Sequence, residues 1–130
     1  MANPNIVSVT SIYGGNASWN LSNTATTTLL TVAADVLIKV NSITVANVDG
    51  TNAATFDLSI SGVGTTVTGV TGTTLATVIY LAKTINVPAD DIFVVTDAPF
   101  YLMENDILRG GASVASDLDL FMSFDVINDA

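Results

Sequence analysis

The segment Leu118-Asp119-Leu120-Phe121-Met122-Ser123-Phe124-Asp125-Val126 alternates in side-chain character almost residue by residue. Successive side chains of a β-strand point to opposite faces, so Leu118, Leu120, Met122, Phe124 and Val126 share one face, and Asp117, Asp119, Ser123 and Asp125 share the other. This spacing predicts a strand with one face in a core. Phe121 and Ile127 interrupt the polar face, which predicts cover over one end of it. Phe56, Leu58 and Ile60 repeat the pattern against Asp57, Ser59 and Ser61. Between Val36 and Val48 the apolar set changes parity, from Val36, Ile38 and Val40 to Ile43 and Val45. A strand keeps one apolar face across such a change only through a bulge or bend, expected near Asn41-Ser42. The connector from Val48 to Ala53 contains Asp49-Gly50, a hairpin turn signal, so residues 36–61 read as a β-hairpin.

The same residue types extend through the chain. Val, Thr and Ile recur, and their β-branched side chains suit pleated strands. Strong helix formers are scarce, with one Glu, two Lys, one Arg and no Gln, and no stretch repeats apolar residues at helical spacing. Further strands are expected at 6–12, 17–21, 26–32, 75–83, 92–96, 101–103 and 107–109. Residues 62–74, rich in Gly and Thr, read as a loop. The 130 residues suffice for one domain, 1–130. The expected fold is all-β, a single antiparallel β-sandwich or jelly-roll-like domain of about 7–9 strands with an extended N-terminal segment. Residues 1–30 are the candidate arm, contributing strands to the sheet or to a neighbour.

Composition excludes several chemistries. Three basic residues against twelve acidic ones give a net charge of −9, without the basic footprint of a nucleic-acid binder. Absence of His and Cys removes imidazole and thiolate metal sites, disulfides and Ser–His or Cys–His catalysis. The densest apolar stretches, Val78-Ile79-Tyr80-Leu81-Ala82 and Ile92-Phe93-Val94-Val95, fall far short of a spanning helix of ~20 residues. The N-terminal residues lack a signal-peptide pattern. These features lead to the expectation of a non-enzymatic protein with no cofactor, no nucleic-acid partner and no membrane partner.

The carboxylates offer two candidate chemistries. Glu104 with Asp106, and Asp117 with Asp119, read as solvated edges and turns rather than an acid pair for glycoside hydrolysis. Asp49-Gly50-Thr51-Asn52 reads as a turn in preference to a calcium loop, since the bidentate Glu of such loops is missing. Trp19 shares a strand face with Ala17 and Leu21, which favours packing over ligand stacking. Charged residues make up only 12% of the chain, against a usual ~25%. A surface so short of charge suits burial against other protein.

Two stretches, Asn3-Pro4-Asn5-Ile6-Val7-Ser8-Val9-Thr10-Ser11-Ile12-Tyr13-Gly14 and Ile43-Thr44-Val45-Ala46-Asn47-Val48-Asp49-Gly50-Thr51-Asn52-Ala53-Ala54, resemble small virion proteins of tailed bacteriophages, particularly those infecting cyanobacteria. The aromatic-Leu segment Phe100-Tyr101-Leu102, the acidic turn Glu104-Asn105-Asp106 and the final alternating strand belong to the same likeness. The resemblance implies a capsid decoration, or cement, protein, made in the bacterial host cytoplasm and bound to the capsid exterior. Its partners would be the major capsid protein and further copies of itself, as a trimer or dimer. Ile6, Val7, Val9 and Trp19 are the expected interface residues, with the arm adding a strand to a neighbour. The alternative is a receptor- or glycan-binding module of a head or tail fibre, with Tyr13, Trp19 and Tyr101 as stacking residues, or a neck or tail-completion protein.

Overall fold

The computed structural model describes residues 6–24, 27–62, 65, 67–69 and 77–129. Among them are nine strands and no helix: β1 (Ser11–Asn20), β2 (Thr27–Thr31), β3 (Val36–Asn47), β4 (Ala54–Ser61), β5 (Val78–Val87), β6 (Ile92–Thr96), β7 (Phe100–Leu102), β8 (Ile107–Ala112) and β9 (Leu118–Asn128). One sheet runs β1-β9-β3-β6, with β7 also pairing β3, and the other runs β2-β8-β4-β5. Every pairing is antiparallel. Apart from β4 to β5 and the short β6-to-β7 step, each connection crosses from one sheet to the other. This wrapping order, with β7 as an addition, is that of a jelly roll.

Register follows from burial. Val36, Ile38, Val40, Ile43, Val45, Leu118, Leu120 and Met122 of one sheet meet Ala54, Phe56, Leu58, Ile60, Ala82, Val87, Leu108 and Ala112 of the other in one core. Sliding β9 by one residue would turn Leu118, Leu120 and Met122 outward, a cost of roughly 5 kcal/mol at ~1.5–3 kcal/mol per large side chain. The parity change in β3 is resolved as expected. Its ladder with β9 shifts between Val40 and Ser42, leaving Asn41 as the extra residue. The expected cover over one end of the outer face of β9 is also present. Ile127 lies opposite Leu37, and both are buried outside the main core, whereas Phe121 on the same face is exposed.

The hairpin over 36–61 is not formed. β3 and β4 lie in different sheets, and residues 48–53 arch between them. A tight Asp-Gly hairpin turn needs a left-handed glycine, and Gly50 does not have a positive φ. Asp49 instead turns the chain with its side chain, its Oδ1 accepting from the Thr51 N–H at 2.8 Å and the Asn52 N–H at 3.3 Å. Asn47 fastens the arch, its Nδ2 donating to the carbonyls of Asn52 and Val87 at 2.9 and 3.0 Å.

Other boundaries differ from expectation for local reasons. Instead of separate strands at 6–12 and 17–21, one strand spans Ser11–Asn20, because β9 supplies an unbroken ladder across Gly14 and Gly15. Gly110 and Gly111, expected to end the eighth strand, lie inside β8. A Cβ on Gly110 would sit 3.1 Å from the Asp57 carbonyl oxygen and 3.2 Å from Leu29 and Leu58 methyls, so this close sheet contact favours glycine. Most of the expected loop at 62–74 lies outside the described residues. Its Thr65 is buried, with its hydroxyl donating to the Glu104 carbonyl at 2.8 Å.

Candidate interaction surface

The acidic residues occupy two kinds of place. Glu104 and Asp106 are buried, contrary to the expectation of solvated turn residues. Glu104 Oε2 accepts from the Asp35 N–H at 2.9 Å, and Asp106 Oδ2 accepts from the Met103 N–H at 2.9 Å. Backbone bonds from Val32 to the Asp106 carbonyl and from Asn105 to the Val32 carbonyl, each 2.9 Å, join the same corner. The Glu104 carboxylate and the backbone bonds therefore join the β7–β8 turn to the turn between β2 and β3, while the Asp106 carboxylate closes its own turn on Met103. Burial raises the Asp106 carboxyl above its ordinary value, partly offset by the Met103 N–H. Asp49 behaves oppositely. The Thr51 N–H, then the Asn52 side chain and N–H, hold its carboxyl below the ordinary value. That is the turn role expected of it, and among the described residues no group of three or more acidic side chains is arranged to hold a metal ion.

The proposed stacking residues are dispersed. Tyr13 pairs across from Val126 on the core side of its sheet, and Tyr101 pairs across from Lys39 on the outer side. Both are exposed, but on opposite faces. Trp19 is half-buried and packs against the core, as the sequence favoured. The four expected interface residues also divide. Ile6 and Val7 are exposed and Val9 is half-buried, just before the Thr10 N–H binds the Asn128 carbonyl at 2.8 Å. Trp19 sits at the far end of β1 from them. Of the candidate arm, Ser11–Asn20 and Thr27–Thr31 are strands of the domain's own sheets.

A larger apolar surface lies elsewhere. β5 ends one sheet and β6 ends the other, and residues 88–91 join them, so the two strands form one flank of the sandwich. On this flank Val78, Ile79, Tyr80, Leu81, Ile92, Phe93 and Val94 are 37–62% exposed. Four of them are consecutive in β5, so apolar groups project from both faces of that strand. Ile79 and Phe93 belong to the core-facing register, opposite Ile60 and Val45. They remain exposed because, among the described residues, no further strand covers the mouth between the sheets. Phe93 is anchored by an edge-on contact with buried Phe56, ring centroids 5.8 Å apart.

The sequence contained both runs, Val78–Ala82 and Ile92–Val95, but uninterrupted apolar character is the usual mark of a strand covered on both faces. Edge position depends on long-range pairing. The usable signal was the coexistence of two non-alternating runs with strictly alternating ones in the same chain.

Comparison with known proteins gives little further guidance. No protein-family model matches the chain, and no curated protein matches it. One solved structure similar in fold comes from Bacillus endospore appendages, described as a novel family of disulfide-linked pili. It has 16% sequence identity and a TM-score of 0.46, covering 92% of this chain and 88% of that one.

Proposed function

We propose that this protein is a non-enzymatic structural subunit, a capsid decoration protein that binds the outer face of a viral shell and strengthens it. The observation that carries this reading is the amount of apolar surface left open by a fully wrapped jelly roll. Among the described residues fifteen large apolar side chains are exposed, four of them consecutive in the first half of β5 and three at the start of β6. A surface of this kind, on a chain with few charges, fits long-term burial against protein. Its placement on a phage shell rests on the sequence resemblance. Each copy would contribute a modest interface, and many symmetric copies would resist expansion of the shell together. The exposed Ile6 and Val7, beside the Thr10–Asn128 tether, are the residues offered to the shell protein.

The test is stoichiometry in purified particles carrying this chain, measured by gel densitometry against the major shell protein. Hundreds of copies per particle support decoration. A handful would move the protein to a fibre or neck position, and absence from particles would overturn the reading.

A further inference from the structure

We propose that the outer face of the β2-β8-β4-β5 sheet carries a binding pocket for a neutral carbohydrate, built around Asp57. Phe56 and Leu58 enter the core, so strand alternation turns Thr55 and Asp57 to the opposite face. Asp57 pairs across from Gly111, which places no side chain beside it. One row further along, the Ser113 N–H donates to the Thr55 carbonyl at 2.8 Å. Between these rows lies a cavity of about 120 Å³, and Asn23, Thr55, Asp57, Thr84, Gly111 and Ser113 are among the described residues that line it.

The polar groups of this pocket are fixed in advance. The Thr84 N–H donates to Asp57 Oδ1 at 2.6 Å, from the place where the β4–β5 ladder shifts between Phe56 and Leu58. Thr84 holds a left-handed φ of 51°, a strained conformation for a β-branched residue. Strain of this kind collects at ligand sites, and bulges re-aim side chains beside them. Here both serve to point an amide at the Asp57 carboxylate. On the far side of the pocket, Ser113 Oγ is held by the Thr55 N–H at 2.9 Å.

The lining selects the class of ligand. Asp57 accepts hydrogen bonds, the Asn23 amide donates and accepts, and the hydroxyls of Thr55, Thr84 and Ser113 do both. A matching ligand alternates donors and acceptors at close spacing, as the vicinal hydroxyls of a sugar ring do. The net charge of −9 disfavours an anionic ligand. A cation is not required either, because Lys83 Nζ already lies 3.4 Å from Asp57 Oδ2. The Lys83 side chain is 61% exposed, and so loose a pair contributes little, which leaves its ammonium able to turn to a ligand hydroxyl. At ~30 Å³ per water the cavity has the volume of about four waters, room for the hydroxyl-bearing edge of one sugar ring. Lys83 Nζ also lies 4.7 Å from the centre of the Tyr80 ring, and this pair bounds the pocket on the side of the apolar β5–β6 flank. The inference therefore stands whether or not that flank is buried against a shell.

Amide NMR titration of the full-length chain tests it. The probes are the methyl glycosides of glucose, galactose and mannose, and the polymers dextran, galactan and mannan, up to about 50 mM in sugar units, a range that detects millimolar affinity. Shifts are expected at Thr55, Asp57, Thr84 and Ser113 with at least one sugar. Tighter binding per unit to a polymer than to its methyl glycoside identifies a polysaccharide as the source, and equal binding identifies a free sugar; either result supports the pocket. Asp57→Asn is expected to weaken binding ~10-fold or more, and Asn23→Ala ~3-fold, through lost hydrogen bonds. Tyr101→Ala, on the outer face of the other sheet, is expected to leave it unchanged. Asn23 is exposed, so Asn23→Ala decides should Asp57→Asn fail to fold. No shifts with any of these sugars, shifts confined to residues outside the pocket, or binding lost through Tyr101→Ala and kept in Asn23→Ala would overturn the proposal.

Discussion

The two flanks of the sandwich are closed by strands of similar rank but opposite chemistry. β1 and β2 end the two sheets on one side, β5 and β6 on the other, so among the described residues backbone edges are open at both. Beyond Ile12 and Tyr13, the β1 edge carries Gly14, Gly15, Asn16, Ser18 and Asn20, and β2 adds Thr28 and Thr31. Two consecutive glycines weaken a strand by roughly 0.5–1 kcal/mol each, yet they leave little for another chain to pack upon. The β5–β6 flank has seven partly exposed large apolar side chains instead. An open edge alone does not make a binding surface. Side chains that gain by leaving water do.

The comparison is broken most severely by substitutions beneath each flank. Phe56 is buried and anchors Phe93, so Phe56→Ala is expected to destabilise the domain by about 3–5 kcal/mol in urea unfolding. Trp19 is half-buried at the β1 edge, so Trp19→Ala should cost about half as much despite the larger side chain. Equal losses would mean that the two flanks are packed alike. Between the flanks, Gly110→Ala forces a Cβ into β4 and Leu29 and should cost about 1–3 kcal/mol by the same measurement.

Sequence legibility followed the same division. The parity change in β3 was readable because a buried face permits only one solution to Ile38, Val40, Ile43 and Val45, and the bulge lies where that solution requires it. The alternation of β9 likewise fixed which residues enter the core. The arch at 48–53 is not legible locally, because Asp49-Gly50 offers the same two residues to a hairpin and to a crossover. The choice depends on Asn47 reaching Val87, forty positions away. Burial of Glu104 and Asp106 was equally invisible, since it arises when the β7–β8 turn meets Val32 and Asp35. The candidate surface was present as two apolar runs, but only strand order places them at an edge.

Smaller effects sharpen the contrast through charge and backbone. Asp106, raised by burial, disfavours the folded state while ionised, so its penalty disappears as pH falls through its folded-state pKa. Asp49, lowered by its hydrogen bonds, stabilises above its unfolded value near 3.8 and loses that contribution as pH falls through its lower folded value. Asp106→Asn is therefore expected to raise the melting temperature at pH 7 and have little effect at pH 3. Asp49→Ala should lower it at pH 7, with the difference fading below pH 3. The smallest effect is expected in the second half of β5, beside the shifts in its ladder with β4. Thr84 holds a left-handed φ that Asn adopts more readily, so Thr84→Asn should stabilise by about 0.5–1 kcal/mol.

Hydroxyl-radical footprinting of the free chain against the particle-bound chain tests most directly whether the β5–β6 flank is a surface that is covered in use. Oxidation of Tyr80 and Phe93 is predicted to fall on binding, while that of Phe121, exposed on the outer face of β9, stays constant. Equal labelling of all three rings in the free and bound states would contradict the account.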